Sequence, residues 1–513
     1  MFFKVGMQAI ITVDIGTTST RAILYDAGGR VRHMDQRANG PVYFEDGRVE
    51  QDALSWQTAL IAVLKTCAVA AQANQLKPAC ISVTAQRSSV IPVDRSGLPL
   101  HPAIMWQDHR SASLAQAMEA HNPLVYSKSG LKISPVFSAI KMTWLRRNRP
   151  DVWGQTHKML GVQDWVLYCL TGRFVTDQSF GSRTNLLNLQ TRNWDADLLA
   201  LFEVDPDQLC DLVAPGSVVG GLTSDMARVT GLGAGLPVVS AGGDQQCAAL
   251  GLGLFSPERA VSNTGTGSYL IGHSKAPVFD AAMRLACNVS AVPGAYIVEA
   301  AVLTSGAIYR WFRESLLLAP GAQALSFDAL NAEASTVPAG ANGVLLLPHF
   351  KGSGAPYWDP ESRGTFFNLS LSTSRADMAR AILEGIAVEM KASLELVETL
   401  CAKVKTVVVS GGMTRSDLFN QIQSDVFERS VVRFANNEAT SLGAWIAGAV
   451  ATGLESTYEQ AFAHAQMGDA SISYQANPAN HEVYERQRRQ SRALYQALAA
   501  PALRELILNQ DET

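Results

Sequence analysis

An apolar run ends in two glycines and a carboxylate at Val238-Val239-Ser240-Ala241-Gly242-Gly243-Asp244-Gln245-Gln246. The pattern reads as strand, tight turn and helix, with Asp244 near the helix start. Glycines there let the chain turn sharply and let another molecule approach. The first helical turn carries partial positive charge and favours an ionised carboxylate. Such an Asp can take a proton as a general base. It can equally serve as a plain helix cap. A second chemical stretch is Asp14-Ile15-Gly16-Thr17-Thr18-Ser19-Thr20-Arg21. Gly16 can expose backbone N–H groups, Thr17 and Thr18 add hydroxyls, and Arg21 adds a fixed cation. That set suits an anion, and Asp14 beside it suits a divalent cation. An ordinary hairpin with a polar turn fits the same residues. A third stretch, Thr264-Gly265-Thr266-Gly267-Ser268, repeats the Gly/Thr composition.

These groups need elements to hold them. Residues 9–14 read as a buried strand, residues 22–26 as a second, and a third follows the turn at residues 27–30. Apolar periodicity predicts a helix over about 52–71 and a strand over 80–85. Gln86-Arg87-Ser88-Ser89 then falls where open α/β sheets present ligand contacts. Trp106, Asp108 and Arg110 offer an aromatic platform, a carboxylate and a cation within five positions. Helices are predicted at about 111–120, 138–147, 163–170, from 308, and at 376–401. The strand at residues 407–410 runs into Gly411-Gly412-Met413, a turn that leaves backbone open to a nucleotide. The hairpins at residues 9–26 and 259–272 share one organisation, which suggests a duplicated core. Beyond about residue 455 the chain reads as charged helices, with Glu485–Arg489 as a solvated face.

The 513 residues exceed one ordinary core, so two domains or more are expected. A net charge of −4 gives no broad basic field, so no nucleic-acid partner is expected. Seven scattered cysteines without a Cys-x-x-Cys read as reduced thiols in a cytoplasmic protein, with neither a zinc site nor a disulfide frame. Residues 1–6 are too short and too soon polar for a secretory leader. No apolar run reads as long enough to span a bilayer, so no membrane partner is expected. Neither Gly/Thr turn is a Walker A loop or a dinucleotide fingerprint.

An ordered set of segments resembles the FGGY family of carbohydrate kinases, nearest its glycerol kinases and xylulokinases, from about Ile10 to Gly453. The set comprises Asp14-x-Gly-Thr-Thr-x-x-Arg21, Gly47-x-Val-Glu-x-Asp52, Trp106-Gln-Asp-x-Arg110 and Phe137-Ser-x-x-Lys141-x-x-Trp144. It continues through Leu170-Thr-Gly-x-x-x-Thr-Asp177, Gly243-Asp-Gln-Gln246, Gly265-Thr-Gly267, Gly354-Ala-Pro-Tyr-Trp-Asp-Pro360, Glu384-Gly385-Ile386 and Ser410-Gly-Gly412. The resemblance implies an α/β protein of two ribonuclease-H-like domains, of the actin, hexokinase and Hsp70 type, with an interdomain cleft. It divides the chain into a sugar-binding domain over 1–245, a nucleotide-binding domain over 246–455 and a helical tail over 456–513. It implies ATP and Mg2+, and phosphoryl transfer to a terminal hydroxyl of a small sugar or polyol. By position, Asp244 is the catalytic base, and Asp14 with Asp244 forms the metal site. Thr17, Thr18 and Arg21 form one phosphate turn, Gly265 and Thr266 the other. Gly306, Gly412 and Met413 are nucleotide contacts. Arg87, Ser88, Trp106, Asp108, Asp244, Gln245 and Tyr269 fall at acceptor positions. Homodimers and homotetramers both occur in such families.

Glycerol kinases carry Glu where this chain has Ser88, and Tyr where it has Val136. Xylulokinases carry Met-His in place of Arg87-Ser88 but share Asp108. On Ser88, Val136 and Asp108 a pentulose or a four- to six-carbon polyol ranks above glycerol, with glycerol kinase the alternative. A non-catalytic sugar sensor would be expected to lose Asp244 or the turns. An Hsp70- or actin-like ATPase would not need a pocket around Trp106 and Gln245.

Overall fold

The apolar run at the start of the chain lacks alternation because both of its faces are covered, as in parallel sheets between helices. The structure is a computed structural model describing residues 8–316, 324–435, 438–467 and 470–508. The expectation about a leader at residues 1–6 lies outside the described residues. In chain order the principal elements are β1 (Gln8–Ile15), β2 (Ser19–Asp26), β3 (Val31–Ala38), α1 (Ala53–Ala73), β4 (Lys77–Ala85), α2 (Ser138–Asn148), α3 (Val162–Thr171), β5 (Ser217–Gly221), β6 (Pro237–Gly243) and α4 (Asp244–Gly251). They continue with β7 (Arg259–Thr264), β8 (Ser268–Ser274), β9 (Tyr296–Val302), α5 (Gly306–Trp311), α6 (Arg375–Leu400), β10 (Thr406–Ser410), α7 (Asp417–Phe427), β11 (Ser430–Phe434), α8 (Ala439–Ala451), β12 (Ser471–Tyr474) and α9 (His481–Leu498).

By contact the chain forms two units. One holds Met1–Phe255, Ser274–Ile297 and Glu438–Gly468, and the other Ser256–His273, Val298–Asn437 and Asp469–Thr513. The sequence reading cuts the chain once, after residue 245, and sets off a tail at 456. The first unit's sheet runs β5-β6-β4-β1-β2-β3. β1 pairs antiparallel with β2 and parallel with β4, and β4 pairs parallel with β6. Strands of the second unit repeat that order, read from the other end, as β9-β8-β7-β10-β11-β12. β7 again pairs antiparallel with β8 and parallel with β10. This shared order of a hairpin plus parallel strands is the ribonuclease-H-like α/β fold, present twice.

In the first unit, Ala9, Ile11, Val13 and Ile15 of β1 face Trp56, Leu60 and Val63 of α1 and Trp165 of α3. Ile10, on the opposite face, packs with Cys247 and Leu250 of α4 and Leu442, Trp445 and Ile446 of α8. Helices α4 and α8 cross backbone to backbone. A Cβ on Gly443 would lie 1.9 Å from the Cys247 carbonyl oxygen, and one on Gly251 would lie 2.0 Å from that of Ala439. Only glycine permits this approach.

Three expectations need correction. Helix α1 is, at 21 residues, long and apolar enough to cross a bilayer by length and composition, contrary to the sequence reading. It instead lays Trp56, Leu60, Val63, Leu64 and Cys67 on the sheet. The region beyond 455 is not all helix, because β12 pairs antiparallel with the edge strand β11. The run Glu485–Arg489 is not wholly a solvated face. Gln487 is buried and donates to Glu384 Oε2 at 3.1 Å, and Tyr484 Oη donates to Glu384 Oε1 at 3.1 Å. A buried carboxylate must be paired and hydrogen-bonded, and α9 completes what Arg380 Nε begins at 2.7 Å. None of the seven cysteines is joined in a disulfide.

Candidate active site

Three strands of the first unit end side by side, and their ends carry the chemistry. The register sets Asp14 opposite Arg21 on β2 and beside Thr84 on β4. Thr84 in turn stands beside Gly242 on β6. Gln86 and Arg87 leave β4 at this edge, and Asp244 leaves β6. Gly242 has φ +122, a conformation closed to side chains. Gly243, not Asp244, is the helix cap, with φ −63 and ψ 154, and Asp244 is the first helical residue. A Cβ on Gly243 would lie 2.5 Å from both Arg87 Cδ and Gln246 Oε1, so glycine leaves room for the arginine. Asp244 still takes the Gln245 N–H on Oδ1 at 2.7 Å, which holds the carboxylate against the positive helix end.

Arg87 reaches the same carboxylate. Its Nε stands 3.3 Å from Asp244 Oδ1, and its Nη1 donates to Gln246 Oε1 at 3.0 Å. Gln246 is fully buried and donates to the Ser179 and Val289 carbonyls, so it fixes the guanidinium in place. Gln245 Oε1 is a buried acceptor with no protein donor among the described residues.

Asp14 lies close enough to Asp244 for their charges to interact. Burial pushes its carboxyl up to about 7, Asp244 adds to the rise, Arg21 opposes it, and Glu438 adds again. Two carboxylates that repel one another suit a divalent cation placed between them. Among the described residues no cluster of three or more His, Cys, Asp or Glu is gathered for a metal. A cation held by these two would take its other ligands from phosphate oxygens and water, the habit of magnesium.

The turn after β1 differs from expectation. The Gly16 N–H is not open to an anion, because it donates to the Ser19 carbonyl at 2.9 Å. Thr17 Oγ1 donates to Gln86 Oε1 at 3.3 Å and accepts from Trp106 Nε1 at 3.3 Å, so it seats the indole. Thr18 is exposed, and its carbonyl accepts the Asn39 N–H. Arg21 is ion-paired with Glu438, just ahead of α8, and its Nε donates to Gln36 at 3.1 Å. Ser88 sits at φ +70 and donates to the Arg183 carbonyl at 3.3 Å.

Asp108 is taken up by the protein itself. Its side chain is fully buried. Oδ2 accepts the Val49 N–H at 2.6 Å and Arg110 Nη2 at 2.8 Å, and Oδ1 accepts the Arg110 N–H and Nε, both at 2.9 Å. Arg110 also reaches Glu50 at 2.6 Å and lies 5.0 Å over the Trp144 ring. This network braces the Trp106 loop from behind.

The second unit gathers the positions expected to meet a nucleotide. The Gly306 N–H donates to the Gly265 carbonyl at 2.9 Å, and the Ser305 N–H to the Thr266 carbonyl at 2.9 Å. A Cβ on Gly306 would lie 2.4 Å from that Gly265 oxygen and 3.3 Å from Met413 Cγ. Gly265, Thr266, Gly306 and Met413 are thus brought together. Gly411 turns at φ +96 against the Thr264 carbonyl, and a Cβ on Gly265 or Gly412 would meet open space. Tyr269 stands on β8 opposite Asn263, 41 % exposed. Sequence reasoning gave no role to Gln246, Lys141 or Glu438. Their own places in the family segments were the available signal for the first two, and a carboxylate ahead of the last glycine-rich helix for the third.

Carboxylates that could hold a cation, and glycine turns that leave backbone open to a nucleotide, are the parts that phosphoryl transfer calls for. The chain belongs to the FGGY family of carbohydrate kinases: the family's N-terminal domain profile matches residues 9–251 and its C-terminal domain profile residues 260–452. It is 35 % identical over 466 residues to a glycerol kinase of Alkalilimnicola ehrlichii, spanning 87 % of this chain and 91 % of that one. To a glycerol kinase of Thermococcus onnurineus it is 34 % identical over 442 residues, spanning 85 % and 87 %. Among solved structures, a xylulose kinase of Rhodospirillum rubrum superposes with a TM-score of 0.89 at 29 % identity, covering 96 % of this chain and 99 % of that one. The protein is therefore an ATP-dependent kinase that transfers the γ-phosphoryl group to an alcohol of a small sugar or polyol.

Proposed function

We propose that glycerol, or a polyol close to it in size, is the acceptor, that Asp244 is the base, and that Asp14 and Asp244 hold magnesium. The observation that carries the base assignment is the junction of β6 and α4. Asp244 is fixed there by the Gln245 N–H and Arg87. A bound hydroxyl can donate to the carboxylate, and an ionised Asp accepts its proton as the new P–O bond forms. Arg87 orients the carboxylate and Trp106, seated on Thr17, offers the acceptor an apolar wall. Magnesium, when bound, supplies charge neutralisation at the phosphates. Gly265, Thr266, Gly306, Gly412 and Met413 meet the nucleotide, Thr17 and Thr18 border its phosphates, and Arg21 does so in exchange for Glu438.

The ranking of longer acceptors above glycerol rests on Ser88, Val136 and Asp108. Asp108 drops out, because both its oxygens serve Arg110 and the Val49 N–H. The glycerol kinases among the relatives, at 31 % to 35 % identity, support the shorter acceptor. A pentulose is the second reading, favoured by the likeness to the Rhodospirillum rubrum xylulose kinase and by Val136. The test is ADP release with ATP, magnesium and a panel of glycerol, erythritol, xylitol and xylulose. The highest kcat/KM is expected for glycerol, and a panel led by xylulose overturns the acceptor. Asp244→Asn is expected to lower kcat by about 10²-fold or more while ATP still binds. Undiminished turnover removes Asp244 as the base.

A further inference from the structure

Lys141, on α2, is a cation with no surface exposed to water and no ion pair among the described residues. Its Nζ stands within hydrogen-bond distance of four backbone carbonyls: Pro135 at 2.6 Å, Val136 at 2.5 Å, and Phe137 and Ser88 at 3.3 Å. Three of these belong to the turn ahead of α2. The fourth belongs to the residue after Arg87, held at φ +70. The Ser88 hydroxyl and the Arg183 guanidinium, 4.8 Å over the Phe137 ring, close the same junction from the other side. An ammonium buried without a carboxylate in contact is a costly way to fill a core, and an apolar chain of equal length would pack there at less cost. The return on that cost is geometric: one charge fastens two separate segments at fixed distances.

We infer that Lys141 is a positioning residue for the acceptor pocket, tying the Val136 turn to the Ser88 backbone and so setting the pocket's width and the placement of Arg87 against Asp244. This rests on the proposed reading of Arg87, Ser88 and Val136 as pocket wall. The charged groups facing the ammonium are Asp108 and Arg110, on the loop behind it. Burial pushes the ammonium down to about 7, with Asp108 opposing and Arg110 adding to the drop. The tie is therefore whole below about pH 7 and loosens above it.

Lys141→Met keeps the unbranched length and removes the charge. Steady-state kinetics with the acceptor that leads the panel are expected to show the acceptor KM raised by about tenfold or more, with kcat lowered less and the ATP KM unchanged. A merely structural role would lower the melting temperature and shift both KM values together, and either that result or an unchanged acceptor KM overturns the inference. If the variant does not fold, the wild-type enzyme decides. Its acceptor KM is expected to climb between pH 7 and pH 9 while its ATP KM holds, and a flat acceptor KM overturns the inference. Wild-type enzyme that releases ADP without regard to any polyol or sugar overturns the acceptor reading, and the inference with it. Acceptor-dependent wild-type turnover with an indifferent Lys141→Met overturns the inference alone.

Discussion

Replacing Gly443 by alanine would drive a methyl carbon into the backbone of α4. The new Cβ would lie 1.9 Å from the Cys247 carbonyl oxygen and 2.9 Å from the Cys247 Cα, where ordinary contact begins at 3.4 Å. Neither neighbour is the tip of a flexible side chain, so the helices themselves must part, by about 1.5 Å at the point of closest approach. Alanine repays about 1 kcal/mol in helix propensity. Overpacking of this kind costs about 1–3 kcal/mol, and contact with backbone puts it at the upper end. The larger effect is expected on catalysis. Cys247 lies about one helical turn beyond Asp244, so α4 cannot retreat without moving the proposed base. A displacement of about 1 Å at a reacting group lowers rates by about 10²-fold. The assay is kcat at saturating ATP and acceptor, together with thermal unfolding. Gly233→Ala, where nothing lies within 4 Å, serves as the neutral control. Wild-type kcat and stability in Gly443→Ala would refute the argument that this crossing sets the base.

Other perturbations separate the parts of the site. Gly412→Val adds bulk where a Cβ meets open space, so stability is expected to hold while the ATP KM rises by about tenfold or more; an unchanged ATP KM would remove Gly412 from the nucleotide edge. Arg110→Ala strands the buried Asp108 carboxylate and is expected to cost about 3–5 kcal/mol in denaturant unfolding; a loss near zero would mean the network does not brace the loop. Burial pushes the Asp164 carboxyl up to about 7, with the Gly161 N–H and the Thr176 hydroxyl opposing and Asp177 adding. The folded state then binds the proton more tightly than the unfolded one, so this group's contribution falls as pH rises from about 4 to about 7. Asp164→Asn is expected to gain stability over wild type by a few kcal/mol across that window, measured by urea unfolding at pH 5 and pH 8; a constant difference at the two pH values would contradict this.

What the sequence made legible was local. Asp244 stood out because two glycines, an apolar strand and a helix former surround it within a few residues. The duplicated hairpin was readable because both copies keep strand, Gly/Thr turn and strand in unbroken order. What escaped depends on contacts between distant positions. Asp108 looked like a ligand group because its carboxylate is satisfied by Val49, far back in the chain, and by an arginine two residues on. The Gly16 N–H looked free because a tight turn back to Ser19 is invisible in composition. β12 is four residues with an alternating pattern, too short to outweigh the charged helices around it. On α9, Tyr484, Gln487 and Ser491 are buried at helical spacing, but a polar stripe carries no hydrophobic signal. Its role appears only when Glu384 is seen to need partners.

Helix α8 has a consequence for how this protein is made. It closes the face of the first sheet that carries Ile10, Ile23, Tyr25, Cys80 and Val239, yet it follows the last strand of that sheet by most of another unit. A ribosome therefore releases the sheet long before the helix that covers it. During that interval an apolar face and the flank of α4 that receives Gly443 stay wet and sticky, the condition in which nascent chains attract chaperones or one another. A protein shortened to its first 255 residues would be left in that state permanently. Synthesis rate through the second unit, rather than the stability of the finished fold, then becomes a lever on the yield of active kinase.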